Sequence, residues 1–327
     1  MKQKQPGGTL KCKKSLLSGM TRKAKRNCFV LAVLLPFAVW MLVYMIIPLV
    51  SVIFYSFTDA KMAYDDFSWV GLYQFKKLFS SSDALTAIWN SVKAALIIMP
   101  ISLVLSLLTA VGLNALSDRF RNLYTFAYFV PNIMSITAIC LVWNWMYHNS
   151  YGVINAVLNF FGIENQQFLK SSEQALFCLC IIHIWSVFGY YTVILLSAIR
   201  GIDKGLYEAA AISGANAWQK FRYVTLPMLK NQLLFVCIML TTSSFMFFTP
   251  VKVLTDGTPG NSTLVMLLYV HRRGIQQGDI AHASAMSLVL MAIILFFSLL
   301  QWILTKERAP KDYSKPVQSK KRKEAEV

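Results

Sequence analysis

Read for apolar and polar positions, the chain alternates six long uncharged stretches with shorter polar intervals. The stretches cover about 27–58, 94–117, 124–147, 174–199, 231–251 and 282–304, and none contains Asp, Glu, Lys or Arg. Each meets the roughly 20 apolar residues that carry a helix across a bilayer core. The pattern therefore predicts an all-α membrane protein with six transmembrane helices. Pro36 and Pro48 predict bends in the first. A secretory signal is the competing reading of that first stretch. Its 32 residues, 27–58, far exceed the roughly 7–15 of a signal's apolar region, and no small-x-small cleavage site follows, so an uncleaved span is expected.

The polar intervals carry structure of their own. Residues 69–79 have the spacing of a short amphipathic helix lying at the interface, and 153–161 are apolar enough for a second helix on the membrane surface. Asp256-Gly257 and Pro259-Gly260 predict turns. The interval 200–230 reads as a folded knob. Asp203 is placed to cap a helix running through Ala211, and Gly214 suits the left-handed residue that closes it. Asn216 with Gln219 three residues on predicts a second helix start with a capping box. Pro227 is expected in the first turn of the next apolar helix.

Composition agrees with a bilayer: 56% of the 327 residues are hydrophobic and 14% charged, against roughly 25% charged in soluble domains. The net charge of +17 lies in tails and short loops rather than on an aromatic-studded polar surface, so nucleic acid is not an expected partner. Placing the tails 1–26 and 305–327, the 118–123 loop and the knob on one side puts 24 of the 32 basic residues there. The positive-inside rule makes that side the cytoplasm, with N- and C-termini both inside. Six cysteines fall in the basic tail or within apolar runs and predict free thiols.

No nucleotide or hydrolytic machinery is visible: G-x-x-x-x-G-K-[ST], H-E-x-x-H and G-x-S-x-G are all missing. No metal site, bound cofactor or catalytic residue is expected in this chain. The spans lack the acids that ion-coupled carriers keep at membrane depth. His183, the one mid-span candidate, reads as a neutral, hydrogen-bonded packing residue.

The order of residues in the knob adds a further reading. Tyr207, Glu208, Ala209 and Ala210, then Gly214 and Ala215, then Leu226 and Pro227 resemble the EAA loop of ABC importer permeases. The fuller run LYEAA…GA..WQKF…TLPML is most similar to the carbohydrate-uptake branch, with Ser213 standing where that branch carries aspartate. WVGL before Asn90-Ser91, then Gly152, Asn155 and Gly162, then LT.G.P..ST look like the same family's outer segments. The resemblance implies a permease subunit of the bacterial or archaeal cell membrane that imports a sugar or oligosaccharide. Its expected partners are two ATPase subunits holding ATP and Mg, a second permease, and an extracytoplasmic solute-binding protein. A permease for another polar solute such as glycerol phosphate, or a secondary carrier, is the alternative. For a neutral sugar the path should be lined by amides, hydroxyls and rings. Candidates are Trp143, Asn144, Trp185, Tyr190, Tyr191, Ser243, Ser244 and Phe247. Tyr190 resembles a solute-contacting tyrosine of sugar-transporting relatives, whereas the fifth span carries Ser243, Ser244 and Phe247 where asparagine is common.

Overall fold

A computed structural model describes residues 22–62 and 66–305; most of the two basic tails lies outside them. The chain divides into two units, one ending at Phe54 and one beginning at Tyr55. In the first, α1 (Arg22–Met41) runs through Pro36 into a π turn (Leu42–Ile46) and then α2 (Ile47–Tyr55). Pro48 has no amide to donate to Tyr44, and its ring crowds that carbonyl; widening the preceding turn to i→i+5 relieves both. Val30–Tyr55 is long and apolar enough to cross a membrane, yet the chain buries none of it. Lipid would cover such a surface.

The second unit holds the remaining helices. α3 (Tyr73–Phe79) leads into α4 (Ser82–Asn114), followed by α5 (Asp118–Ile133), α6 (Ile136–Met146) and the short α7 (Val153–Phe160). Then come α8 (Ala175–Arg200), α9 (Lys204–Ile212), α10 (Ala217–Lys220), α11 (Leu226–Met228) and α12 (Lys230–Phe245). α13 (Thr249–Leu254), α14 (Met266–His271) and α15 (Ile280–Thr305) complete it. Among the described residues the β pairing is one isolated bridge, between Thr58 and Trp69.

α8 is the centre of this unit. It packs on α4, α5 and α12, and small residues allow the approach. Ala94, Ala95, Ser102, Ser106 and Ala110 are all buried on α4, and Ser106 Oγ donates to the Phe188 carbonyl on α8 at 2.9 Å. On the other side Gly189 lies directly against the Tyr128 backbone of α5. The core falls into two clusters. The larger gathers Ile98, Ile139, Leu179, Ile182, Phe247, Met266 and Met286, while the smaller joins Leu113, Leu195, Ile199, Leu229 and Leu240 to Ile202 at the root of the knob.

Several expectations are corrected. Among the described residues five helical segments have the length and apolarity to cross a membrane, or six, as expected, if α5 and α6 together form one span. Those two are not the continuous helix expected over 124–147, because the chain bends by 97° between them. Pro131 withdraws an amide from the last turn of α5, and Met134 and Ser135 then adopt extended backbone before α6 restarts. The fifth stretch likewise breaks at Met246 and resumes as α13, with Pro250 in its first turn. α4 starts twelve residues before the expected 94, because Ser81 caps it by accepting the Ala84 amide. The helix expected over 69–79 begins only at Tyr73; Trp69 instead joins the bridge to Thr58 and stacks on Phe57. Pro227 sits in the three-residue α11, ahead of a separate start at Lys230.

Candidate functional site

The knob is closed by hydrogen bonds at each of its corners. Asp203 Oδ1 accepts the Gly205 amide at 2.9 Å, starting α9. At the other end Gly214 has φ +79°, its amide donates to the Ala211 carbonyl at 3.0 Å, and the Ala215 amide reaches Ala210 at 2.9 Å. That pair of bonds is a Schellman closure, and the positive φ is what demands glycine there. Asn216 and Gln219 form a reciprocal capping box with both bonds at 2.8 Å. The Tyr207 hydroxyl meets Thr225 Oγ1 at 2.9 Å, tying α9 to the far limb, and Ile202 and Leu229 root both limbs in the bundle.

That far limb repeats the device of the first unit: a π turn (Phe221–Thr225) stands two residues before Pro227 and accommodates the missing amide of the proline. Among the charged and polar residues that the knob exposes, such as Lys204, Glu208, Asn216 and Arg222, stand several large apolar ones. Ile212 is 89% exposed, Trp218 69% and Tyr223 73%, with Ala209, Pro227 and Met228 also at the surface. Ala210, Ala215 and Leu226 are half-buried. Glu208 is exposed and makes no ion pair with any described residue. Exposed apolar groups clustered in this way are typical of interaction surfaces.

Two of the cavities along the bundle are lined by pathway candidates. The first, of about 240 Å³, forms where the two helix breaks meet α8: Asn132 and Met134 come from the α5–α6 bend, His183 and Ser186 from α8, and Phe247 to Pro250 from the α12–α13 break. His183 Nε2 lies 3.2 Å from Ser243 Oγ and its ring stands edge-on to Phe247 at 5.1 Å. The second cavity, of about 290 Å³, lies at the loop end of α6 and includes Asn144, Tyr147, Gln167, Lys170 and Thr258. Rings connect the two regions: Tyr147 to Trp143 at 5.2 Å, then Trp143 to Trp185 at 5.8 Å.

The pathway candidates are thus divided. Asn144 lines the second cavity and Phe247 the first, with Trp143 and Trp185 between them. Ser243 is tethered to His183, and Ser244 is buried with its hydroxyl given to the Leu240 carbonyl. Tyr190 and Tyr191 pair at 5.2 Å, Tyr191 within the cluster nearest the knob. Asn132, Thr249, Gln167 and Lys170 were not anticipated. Pro131 and Pro250, each inside an apolar run, were the available signal for the first cavity. Of the cysteines, Cys140, Cys178, Cys180 and Cys237 are free thiols; Cys12 lies outside the described residues.

Residues 102–308 match the family model of the binding-protein-dependent transport system inner membrane component. The chain is 32% identical over 272 residues to the arabinooligosaccharides transport system permease protein AraP of Halalkalibacterium halodurans, covering 83% of this chain and 85% of that protein. It is 28% identical over 269 residues to the trehalose/maltose transport system permease protein MalF of Thermococcus litoralis, covering 81% and 90%. A solved structure of a bacterial ABC transporter involved in the import of the acidic polysaccharide alginate shares the fold, with TM-score 0.76 at 23% identity over 88% of this chain and 99% of that one. A bundle with membrane-length apolar helices, a rigid knob between two of them and this match over most of its length place the chain in the binding-protein-dependent transport system inner membrane component family, the permeases of ABC transporters.

Proposed function

We propose that this chain is one permease subunit of an ATP-driven, binding-protein-dependent importer of a sugar or oligosaccharide, and that residues 200–230 couple it to separate ATPase subunits. The observation that carries the coupling role is the knob itself: capped at both helix starts, closed by a Schellman turn, cross-tied by Tyr207 and Thr225, and bearing several large apolar residues on its outer face. A lever must keep its shape under load, and an interdomain contact must offer surface that water does not compete for. Glu208 would pair with a donor on the ATPase. Saccharide cargo is favoured by the relatives, whose names specify arabinooligosaccharides and trehalose or maltose.

In this reading the knob and both termini face the cytoplasm. ATP and Mg bind the partner ATPase pair, and closing of that pair moves the knob together with α8 and α12, which flank it in sequence. A second permease completes the pore and an extracytoplasmic binding protein delivers the solute. The bilayer covers the exposed apolar sides of the helices.

The test uses the assembled complex in proteoliposomes. Glu208→Lys and Gly214→Pro are expected to leave the subunit inserted and yet abolish binding-protein-stimulated ATP hydrolysis and uptake. The second variant removes the amide that donates to Ala211 as well as the left-handed geometry. Unchanged hydrolysis and uptake in both variants would remove the coupling role, and cysteine labelling that placed position 208 outside would overturn the topology.

A further inference from the structure

The cavity at the loop end of α6 combines a fixed frame with unspent polar groups. Its frame is pinned from behind. Asn155 Nδ2 donates to the Asn149 and Gln166 carbonyls at 3.1 and 3.0 Å while its Oδ1 accepts the Gln166 amide at 2.9 Å. Gln174 holds the same loop segment, accepting the Phe168 amide at 3.0 Å and donating to Gln166 Oε1 at 2.8 Å. Thr258 Oγ1 is tied to the Thr255 carbonyl at 2.6 Å.

The groups facing the cavity contrast with this. Asn144, Gln167 and Lys170 line the cavity as exposed residues, and their side chains form no hydrogen bond or ion pair with any described residue. No carboxylate lines the space. The nearest acid in the opposing loop, Asp256, is engaged by Lys252 at 3.0 Å and by Arg272. Lys170 therefore presents one uncompensated positive charge beside two free amides. The walls between them, Tyr147, Leu169, Leu254 and Pro259, are apolar. Amides that meet hydroxyls, an apolar wall that meets C–H faces, and one ammonium together describe a sugar ring bearing one negative charge. At about 290 Å³ the cavity is at the small end of ligand sites, which run from roughly 300 to 1,000 Å³, so it holds one ring rather than a chain.

We infer that this cavity is a subsite for a single pyranose residue carrying a carboxylate, with Lys170 facing the carboxylate and Asn144 and Gln167 facing ring hydroxyls. A phosphorylated sugar fits less well, since a dianion is usually met by arginine forks or a helix N-terminus, and the cavity offers neither. The inference rests on the proposed importer function and adds the cargo class. The ring ladder Tyr147, Trp143 and Trp185 then supplies a stacking route from this subsite toward the His183 cavity.

Saturation-transfer NMR on the nucleotide-free complex in nanodiscs, without binding protein, reads the subsite directly. The probes are digalacturonic acid and cellobiose at equal concentration. Wild type is expected to transfer saturation mainly to digalacturonic acid. Lys170→Gln should reduce that signal about threefold, to the level of cellobiose, in keeping with an exposed ion pair. Gln167→Ala should weaken both probes, and Lys76→Gln, an exposed lysine on α3, should change neither. Equal transfer to both probes in wild type, or an equal loss with Lys76→Gln, would overturn the subsite. A complex that imports sugars yet gives no transfer would also overturn it while leaving the importer function intact. Failure of the importer function would show separately, as no saccharide-driven ATP hydrolysis with any binding protein.

Discussion

Gly189 offers the most direct check on how the bundle is assembled. A Cβ at this position would lie 1.8 Å from the Tyr128 carbonyl oxygen and 2.6 Å from its carbon, both backbone atoms that no rotamer change can move aside. Restoring ordinary contact, which begins at 3.4 Å, requires α5 and α8 to part locally by roughly 1.6 Å in an interior packed like a crystal. Overpacking costs typically 1–3 kcal/mol, and an obstacle made of backbone belongs at the upper end, about 3 kcal/mol. The displaced helix also carries the Ser106 bond to Phe188 and the Tyr128–Phe188 ring contact at 5.7 Å, so neighbouring contacts loosen with it. Gly112 on α4 is the internal control, because nothing lies within 4 Å of its Cβ position. There alanine should be neutral or stabilising by up to about 1 kcal/mol through helix propensity. Thermal unfolding followed by size exclusion in detergent should show Gly189→Ala melting roughly 5–10 °C lower and Gly112→Ala unchanged or higher. Equal melting of the two variants would refute the close α5–α8 approach.

Two further outcomes follow from the loops. Asn155→Ala removes the clamp joining the α6–α7 turn to residue 166, at a cost of about 1–3 kcal/mol for the buried groups left unpaired, and limited proteolysis within 148–167 should accelerate severalfold; an unchanged cleavage rate would contradict the clamp. Asp59 accepts the amide and hydroxyl of Ser68, which holds its carboxyl below the ordinary 3.8. A depressed folded value means the bond stabilises the strap above pH 3.8 and is lost as pH falls through the lower value. Protection of the Ser68 amide in hydrogen exchange should therefore persist at pH 5 and vanish only below 3.8; loss already above pH 5 would count against it.

Much of the knob was legible because its chemistry is local. Asp203, Gly214, and Asn216 with Gln219 act on partners within five residues, so spacing alone forecast the caps that the structure shows. The apolar runs were legible for the same reason, since a bilayer imposes length and the absence of charge on each run separately. Where helices break was less so. Pro131 lay in plain sight within a run expected to be one continuous span, but whether α5 and α6 stay roughly collinear or turn by 97° is decided by tertiary packing, in which α5 lies against α8 with Gly189 on the Tyr128 backbone. The π turns ahead of Pro48 and Pro227 belong between these cases: the prolines were visible, the local widening that accommodates them was not.

The composition and order of residues thus determined by themselves that this is a helical membrane protein of the importer permease family with a capped knob. Only the tertiary structure decided which distant groups share a space. Asn144 comes from α6, Gln167 and Lys170 from one turn of 3-10 helix and Thr258 from the loop after α13, and no periodicity relates these three places. Their meeting is a consequence of chain folding in three dimensions, where proximity is set by helix packing and loop closure rather than by separation along the sequence.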